Sequence, residues 1–480
     1  MKDAFSRLKN RQASSPWPEN LSWIITNNLK YDSHSIKITE QNEPNNPSTN
    51  KYHDLAFLQY TSGSTSEPKG VMITIENLSH NLTIITNELK AKDDTIVASW
   101  LPQYHDMGLI GSYLGIIYCG GSGYYMSPLT FLQRPDLWIE VISKYKATHI
   151  QAPNFAYKLT ARKFLPNKHK YQYKNKLQSN GNKPDVSNDN SIVIDLSSIR
   201  HMINAAEPVD ITSINMFLDT FEPYGLKKET MFPTYGLAEH TVFVCSGGTQ
   251  TLMIQKQDLE VDGNVVIVDG EKKNTETTTI CGCGYPSKQN VEVRIVDKAS
   301  LLEVGEDKVG EIWVKSPSKA AGYFNKEEET AINFRANLSY ESNDQVSDGY
   351  LRTGDLGFFH NKELFICGRL KDLIIVGGRN YYPQDIESTA EEVSNKLRPG
   401  CSAAFSVDHL DHGEEKVALV MELREVPKTN VSRLNLLTNW HFLLRTLYHH
   451  HNNNNFEQNH YNNLSSRISM TSVTTSFNKF

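Results

Sequence analysis

The chain has 480 residues, of which 39% are hydrophobic and 22% charged, and its net charge is −6. That length can bury a large core and predicts two or more domains, while the negative charge argues against a nucleic-acid surface as the main partner. Six scattered cysteines form neither a zinc-knuckle nor a disulfide pattern, no apolar signal region opens the chain, and the longest apolar run, residues 107–118, is too short to span a bilayer. The sequence therefore reads as cytosolic, without an integral membrane segment.

Residues 1–50 are polar, carry Pro16, Pro18, Pro44 and Pro47, and read as a lead-in segment. An apolar strand, Leu55–Tyr60, then runs into Tyr60-Thr-Ser-Gly-Ser-Thr-Ser-Glu-Pro-Lys-Gly70. In that loop Gly63 and Gly70 permit turns closed to other residues, Thr61, Ser62, Ser64 and Thr65 supply short hydroxyls, and Lys69 adds a point charge. Such a loop is suited to cradle a polyphosphate; the plainer alternative is a Gly/Ser turn between a strand and a helix. It is not a Walker A loop, since no Ser or Thr follows Lys69 to hold magnesium.

A helix is expected to open near Thr74 or Glu76, followed by a strand at Thr95–Trp100, an amphipathic helix over Leu132–Tyr145 and a strand at Ala147–Ala152 stopped by Pro153. Residues 165–190, rich in Lys, Asn, Gln and Asp, read as a low-complexity insertion. Strands resume at Ser191–Ile194 and His201–Asn204, and this alternation predicts an α/β, layered domain. From Leu252 the period approaches two: strands at Val265–Val268, Val291–Val296 and Glu311–Val314 and a hairpin over Gly357–Ile366 predict a β-rich subdomain. Residues 371–428 read as a small α+β domain, and 429–480, with a His/Asn run and a Ser/Thr/Asn ending, as a disordered or unrelated tail.

Three further loops fall at strand ends. Thr234-Tyr-Gly-Leu-Ala-Glu239 offers a ring, Tyr235, for stacking on a base, and a carboxylate, Glu239, for a hard cation. Gly349–Asp355 places the Asp355 carboxylate where it can accept both hydroxyls of a ribose, and Cys367–Asp372 supplies Arg369 and Lys371. Singly, each has an ordinary structural alternative: a core tyrosine, a turn cap, a surface cation. Their joint occurrence in this order carries the functional reading.

That order resembles the adenylate-forming superfamily of acyl-CoA synthetases, peptide-synthetase adenylation domains and luciferases, and is most similar to the fatty-acyl-AMP ligases. Leu101-Pro-Gln-Tyr-His-Asp-Met-Gly-Leu-Ile-Gly111, Asn204-Ala-Ala-Glu-Pro-Val209 and Gly377-Gly-Arg-Asn-Tyr-Tyr-Pro-Gln-Asp-Ile-Glu387 carry the narrower match, within a resemblance covering about 55–426. It implies an AMP-binding adenylation domain over 51–370 and a partial C-terminal domain over 371–428. It further implies that Thr61, Ser62, Gly63, Ser64, Thr65 and Lys69 hold the phosphates of ATP, with Mg2+ on Thr61 and Glu239. Ala206 and Glu207 would line the adenine pocket, Tyr235 beside Gly236 would stack on the ring, and Asp355 and Arg369 would fix the ribose. His105, Met107 and Gly108 would border the acyl pocket, and Lys371 would be the hinge; Lys69 and Glu239 are the residues it makes catalytic. The implied reaction activates a fatty acid to an acyl-adenylate with release of pyrophosphate, then passes the acyl group to the phosphopantetheine of a carrier protein. Residues 334–347 are expected to belong to an insertion that hinders CoA.

Two departures from the family pattern predict a chain truncated at both ends: no α/β block precedes the phosphate loop, and no Gly-Lys segment follows Val426. Ser66 and Ala205 replace glycines usual in the family. The alternatives are a catalytically impaired remnant that binds only ATP or acyl-AMP, and an acyl-CoA synthetase.

Overall fold

The computed structural model describes residues 54–61, 68–173, 192–268, 277–339, 349–376, 379–392, 394, 396–408 and 415–424. The chain divides into two units, 1–50 and 51–480, and all described residues belong to the second. The lead-in at 1–50, the tail at 429–480 and the core of the expected insertion lie outside the described residues.

Strand β1 (Leu55–Tyr60) pairs antiparallel with β2 (Gly70–Thr74), so the hydroxyl-rich loop joins a hairpin. Helix α1 (Ile75–Glu88) opens where the sequence predicts. The Thr74 side chain accepts from the Asn77 N–H, and the Asn77 side chain accepts from the Thr74 N–H, both at 3.1 Å. This reciprocal cap satisfies two donors a helix start would otherwise orphan.

Strand β3 (Ile96–Ser99) leads to a π-helical turn, Met107–Leu114, which continues as α2 (Gly115–Cys119) into β4 (Ser122–Tyr125). The helix expected over Leu132–Tyr145 is instead two, α3 (Pro128–Gln133) and α4 (Asp136–Tyr145). Pro135 breaks it: the preceding Arg134 leaves the helical region at φ −136°, ψ 75°, as a residue before proline tends to. Next come β5 (His149–Pro153), α5 (Asn154–Phe164), β6 (His201–Ala205), α6 (Ile211–Phe221), β7 (Met231–Tyr235) and β8 (Cys245–Ser246).

The expected insertion at 165–190 is ordered at its rim. Leu165–Lys170 forms a 3-10 turn, and Tyr171–Tyr173 pairs in parallel with Ile192–Ile194. The buried Tyr171 ring stacks on Phe164 at 4.5 Å, which anchors a segment whose composition looks wholly solvated.

These strands form a six-stranded sheet in the order β8-β7-β6-β5-β3-β4, parallel except for β8. A large apolar cluster covers it, including Phe131, Trp138, Tyr157, Phe164, Phe217 and Phe221 from α3–α6, all fully buried. Burying such side chains contributes about 1.5–3 kcal/mol each.

The β-rich part pairs β9 (Thr251–Gln255), which precedes α7 (Lys256–Val261), with β10 (Thr277–Cys281). A four-stranded antiparallel sheet follows: β11 (Glu292–Val296), β12 (Gly310–Lys315), β13 (Leu351–His360) and β14 (Glu363–Arg369), with α8 (Glu327–Phe334) between β12 and β13. The β13–β14 hairpin turns through Asn361 and Lys362, both at positive φ (49° and 66°), the geometry that matches strand twist. The strand expected at Val265–Val268 does not form. The Val265 N–H donates to Asp307 O and the Val268 N–H to Met253 O, so two partners divide its bonds and no ladder runs along it.

Beyond β14 lie β15 (Ile374–Val376), β16 (Arg379–Tyr381), α9 (Pro383–Glu392) and the hairpin β17 (Leu397–Asp408) with β18 (Glu415–Leu423). No helix among the described residues is long and apolar enough to cross a membrane.

Candidate active site

In a parallel sheet the loops after the carboxyl ends of the strands share one rim, where α/β proteins place their ligands. Here that rim collects the segment 100–111 after β3, Asn154 after β5, Ala206 and Glu207 after β6, and Gly236–His240 after β7. Asn204 Nδ2 donates to Asn154 Oδ1 at 3.1 Å, tying two of these strand ends together. Ala206 adopts φ +70°, a left-handed conformation unfavourable for a residue with a Cβ. Glu207 accepts from the Phe155 N–H in the first turn of α5, and desolvation around its carboxyl raises its pKa from the ordinary value.

The phosphate loop is described only at its neck. The Thr61 N–H donates to Lys69 O at 3.0 Å, which closes the loop; Ser62, Gly63, Ser64 and Thr65 lie outside the described residues. Lys69 ion-pairs with Glu329 in the first turn of α8, and its Nζ lies 4.8 Å from the centroid of the Tyr323 ring. The Tyr323 hydroxyl donates to Glu239 Oε1 at 2.9 Å. The hairpin and the Tyr235–Glu239 turn are thus joined through one tyrosine. Backbone bonds hold the junction: Met72 N–H to Gly322 O (2.9 Å), Phe324 N–H to Gly70 O (2.8 Å) and Ala320 N–H to Glu239 O (2.9 Å).

Asp355 and Arg369 are cross-strand partners on β13 and β14. Arg369 Nε meets Asp355 Oδ1 at 3.1 Å, and the buried Tyr235 donates its hydroxyl to Oδ2 at 2.7 Å. Burial pushes the Asp355 carboxyl above its ordinary value against the pull of Arg369, and the Glu239 charge adds to the push. Tyr235, Glu239, Asp355 and Arg369 therefore stand in one electrostatic neighbourhood. Lys371 is exposed in the turn between β14 and β15.

The segment after β3 is braced against the sheet. Gln59 Nε2 donates to Tyr104 O, and Gln151 Nε2 to Met107 O, both at 3.1 Å. A Cβ on Gly108 would stand 2.0 Å from Pro102 O, so only glycine fits there. Met107 is buried in the main core. His105 is exposed, and its Nδ1 meets Asp106 Oδ1 at 2.7 Å; that bond favours the imidazolium and raises its pKa.

A divalent cation is implied by the family. Among the described residues no group of three or more His, Cys, Asp or Glu side chains could hold a metal. A single carboxylate, Glu239, joined to the β1–β2 hairpin through Tyr323, suits Mg2+, which keeps several waters and takes its remaining ligands from phosphate. The residues present fit that ion.

Several contributors carry no sequence signal. His240 is fully buried, its Nδ1 2.7 Å from Phe243 O and its Nε2 2.7 Å from Ser316 Oγ. A carbonyl only accepts, so the proton sits on Nδ1 and Nε2 accepts from the serine. Thr241 lies at φ 66°, ψ −66°, closed by a Val242 N–H to His240 O bond of 2.8 Å: a γ-turn strained for a β-branched residue, two residues after Glu239. Glu311, buried on β12, grips Arg352 (2.8 Å) and the Gly354 N–H (3.3 Å), which shapes the turn carrying Asp355. Tyr323, after Gly322, and Glu329, in the acidic first turn of α8, likewise carry no functional signal in the sequence.

Comparison with known proteins bears on the family of the chain. The family described as AMP-binding enzyme matches residues 7–324, starting inside the polar segment 1–50. The medium-chain-fatty-acid–[acyl-carrier-protein] ligase JamA of Moorena producens is 40% identical over 78% of this chain and 59% of its own length. A putative fatty-acid–CoA ligase, FadD21 of Mycobacterium tuberculosis, is 36% identical over 77% of this chain and 60% of its own. The solved fatty acyl-adenylate ligase from L. pneumophila, in complex with acyl adenylate and pyrophosphate, superposes with a TM-score of 0.59 at 38% identity, covering 83% of this chain and 65% of that one. The chain spans about three fifths of the length of these curated relatives. On the matched residues and the shared fold, the chain belongs to the AMP-binding, adenylate-forming enzyme family.

Proposed function

We propose that this chain binds ATP with Mg2+ and activates a fatty acid to its acyl-adenylate, releasing pyrophosphate. The observation that carries the reading is the junction of Lys69, Glu239, Asp355 and Arg369, linked through Tyr323 and Tyr235. The names of its relatives, a medium-chain-fatty-acid–[acyl-carrier-protein] ligase and a fatty acyl-adenylate ligase, support the substrate class.

In the reaction a carboxylate oxygen of the fatty acid attacks the α-phosphorus, forming the mixed anhydride as the bond to the β-phosphate oxygen breaks. Negative charge grows on the phosphoryl oxygens, and a preorganised cation stabilises it most where water is excluded. Lys69 supplies such a charge at the neck of the loop, and Glu239 with Thr61 would hold Mg2+. That ion, when bound, neutralises charge on the phosphate oxygens. Asp355 takes the ribose hydroxyls, with Arg369 and Tyr235 fixing its two oxygens, and Ala206 and Glu207 border the base. His105, Met107 and Gly108 border the acyl chain. Lys371 is assigned as a hinge, and residues 371–428 as a partial C-terminal domain following an adenylation domain at 51–370.

The acceptor we favour is the phosphopantetheine thiol of a carrier protein, whose sulfur displaces AMP from the acyl carbonyl. One finding favours a second acceptor, CoA: the relative named a fatty-acid–CoA ligase. The test gives the chain ATP, Mg2+ and a medium-chain fatty acid, follows pyrophosphate, and then adds either CoA or a loaded carrier protein. Release well above that of a Lys69→Ala, Glu239→Ala double variant is expected, with acyl transfer to the carrier. Release equal to the double variant would remove the enzyme reading, and transfer to CoA alone would replace the acceptor.

A further inference from the structure

Tyr323 touches both charged groups of the phosphate side. Its hydroxyl holds Glu239 Oε1 at 2.9 Å and its ring lies 4.8 Å from the Lys69 ammonium. The ring is clamped: it packs edge-on against Phe334 at 5.1 Å, and the Tyr323 backbone bridges to Val71 on β2. A hydrogen bond to one oxygen restricts how a ligating carboxylate turns, as outer partners do around metal sites. A ring beneath an ammonium likewise narrows the reach of a flexible lysine stem. Lys69 is also paired with Glu329, which Lys326, the residue before α8, holds at 3.0 Å. That carboxylate is about one third exposed, so the pair is weak and readily exchanged for a stronger anion.

We infer that Tyr323 is a positioning residue of the nucleotide site, aligning Glu239 for the cation and Lys69 for the phosphates, and that Glu329 is the counter-ion Lys69 gives up when a polyphosphate enters. The inference rests on the ATP reading above and deepens it. ATP carries the β- and γ-phosphates that Lys69 and Glu239 serve; AMP lacks both. Loss of the hydroxyl should therefore weaken ATP and spare AMP, and loss of the counter-ion should strengthen ATP alone.

Titration calorimetry with MgATP and with AMP, on the full chain and on Tyr323→Phe, Tyr323→Leu and Glu329→Gln, tests this. Tyr323→Phe is expected to weaken MgATP about 10-fold, the scale of a hydrogen bond to a charged group, and to raise the Mg2+ concentration needed for half-binding. Its affinity for AMP should stay within about twofold. Tyr323→Leu should weaken MgATP further, and Glu329→Gln should strengthen it up to about fivefold, the range of a surface ion pair. Unchanged MgATP affinity in Tyr323→Phe, or an equal loss for AMP, would overturn the positioning role. Weaker MgATP binding in Glu329→Gln would overturn the counter-ion role. An unaltered chain that binds no ATP would instead overturn the nucleotide reading itself, a separate result.

Discussion

His240 is a residue whose chemistry the sequence leaves silent and whose burial makes it testable. Burial lowers its pKa from the ordinary 6.5 to about 4, so the folded protein holds it neutral while the unfolded chain takes up a proton below 6.5. More protons on the unfolded side means stability is complete above about pH 6.5 and falls as pH drops toward 4, by roughly 3 kcal/mol in full. His201, also driven by burial to about 4, adds in the same direction. Urea unfolding at pH 7.5 and pH 5 should show the larger part of this loss, and His240→Gln should remove its own share while leaving that of His201; an unaltered pH dependence in that variant would refute the assignment. Ala206 offers a second test. At φ +70° a β-branched side chain is strained, so Ala206→Val should lose about 1–2 kcal/mol, while Ala206→Gly should stay within about 1 kcal/mol of the parent in the same experiment. Tyr235, Glu239, Asp355 and Arg369 were legible as candidates because each stands beside a glycine in sequence or within a glycine-marked stretch with the right functional group, although Tyr235, Asp355 and Arg369 lie on strands. That Tyr235 spends its hydroxyl on Asp355 was not legible, since it depends on how β7 meets β13 across 120 residues of chain.

Elements with strong local signals were read correctly from the residues. Thr74 with Asn77 marks the start of α1, and the short apolar run Ile312-Trp-Val314 marks β12. Where the reading failed, a single residue or a divided partnership decided. Pro135 cuts one amphipathic stripe into α3 and α4, and the Val265 stretch shares its bonds between two partners. The π-helical turn at 107–114 had no signal at all, because one extra residue per turn leaves no mark in composition. It brings Gly108 against Pro102, just as Gly236 lets the turn after β7 approach Val242, where a Cβ would stand 1.8 Å from the Val242 oxygen. Gly236→Ala should therefore displace the Glu239 turn and destabilise the fold by about 3 kcal/mol or more. Thermal unfolding measures that loss, and a melting temperature within a degree of the parent's would show that the close approach is not required.

At the scale of the whole molecule, alternating strand and helix patterns foretold a layered α/β sheet, and the order of the motifs foretold the family. The strand order β8-β7-β6-β5-β3-β4 was not foretold, because nothing local states which strands lie side by side. That order nevertheless sets the function proposed here, since it gathers the loops after β3, β5, β6 and β7 on one rim and brings the β1–β2 hairpin to it through Tyr323. A crystal structure of the chain with MgATP tests this most directly. The β- and γ-phosphates should lie between Lys69 and the Glu239-held cation, with the ribose on Asp355. A nucleotide bound away from that rim, or none at saturating concentration, would contradict it.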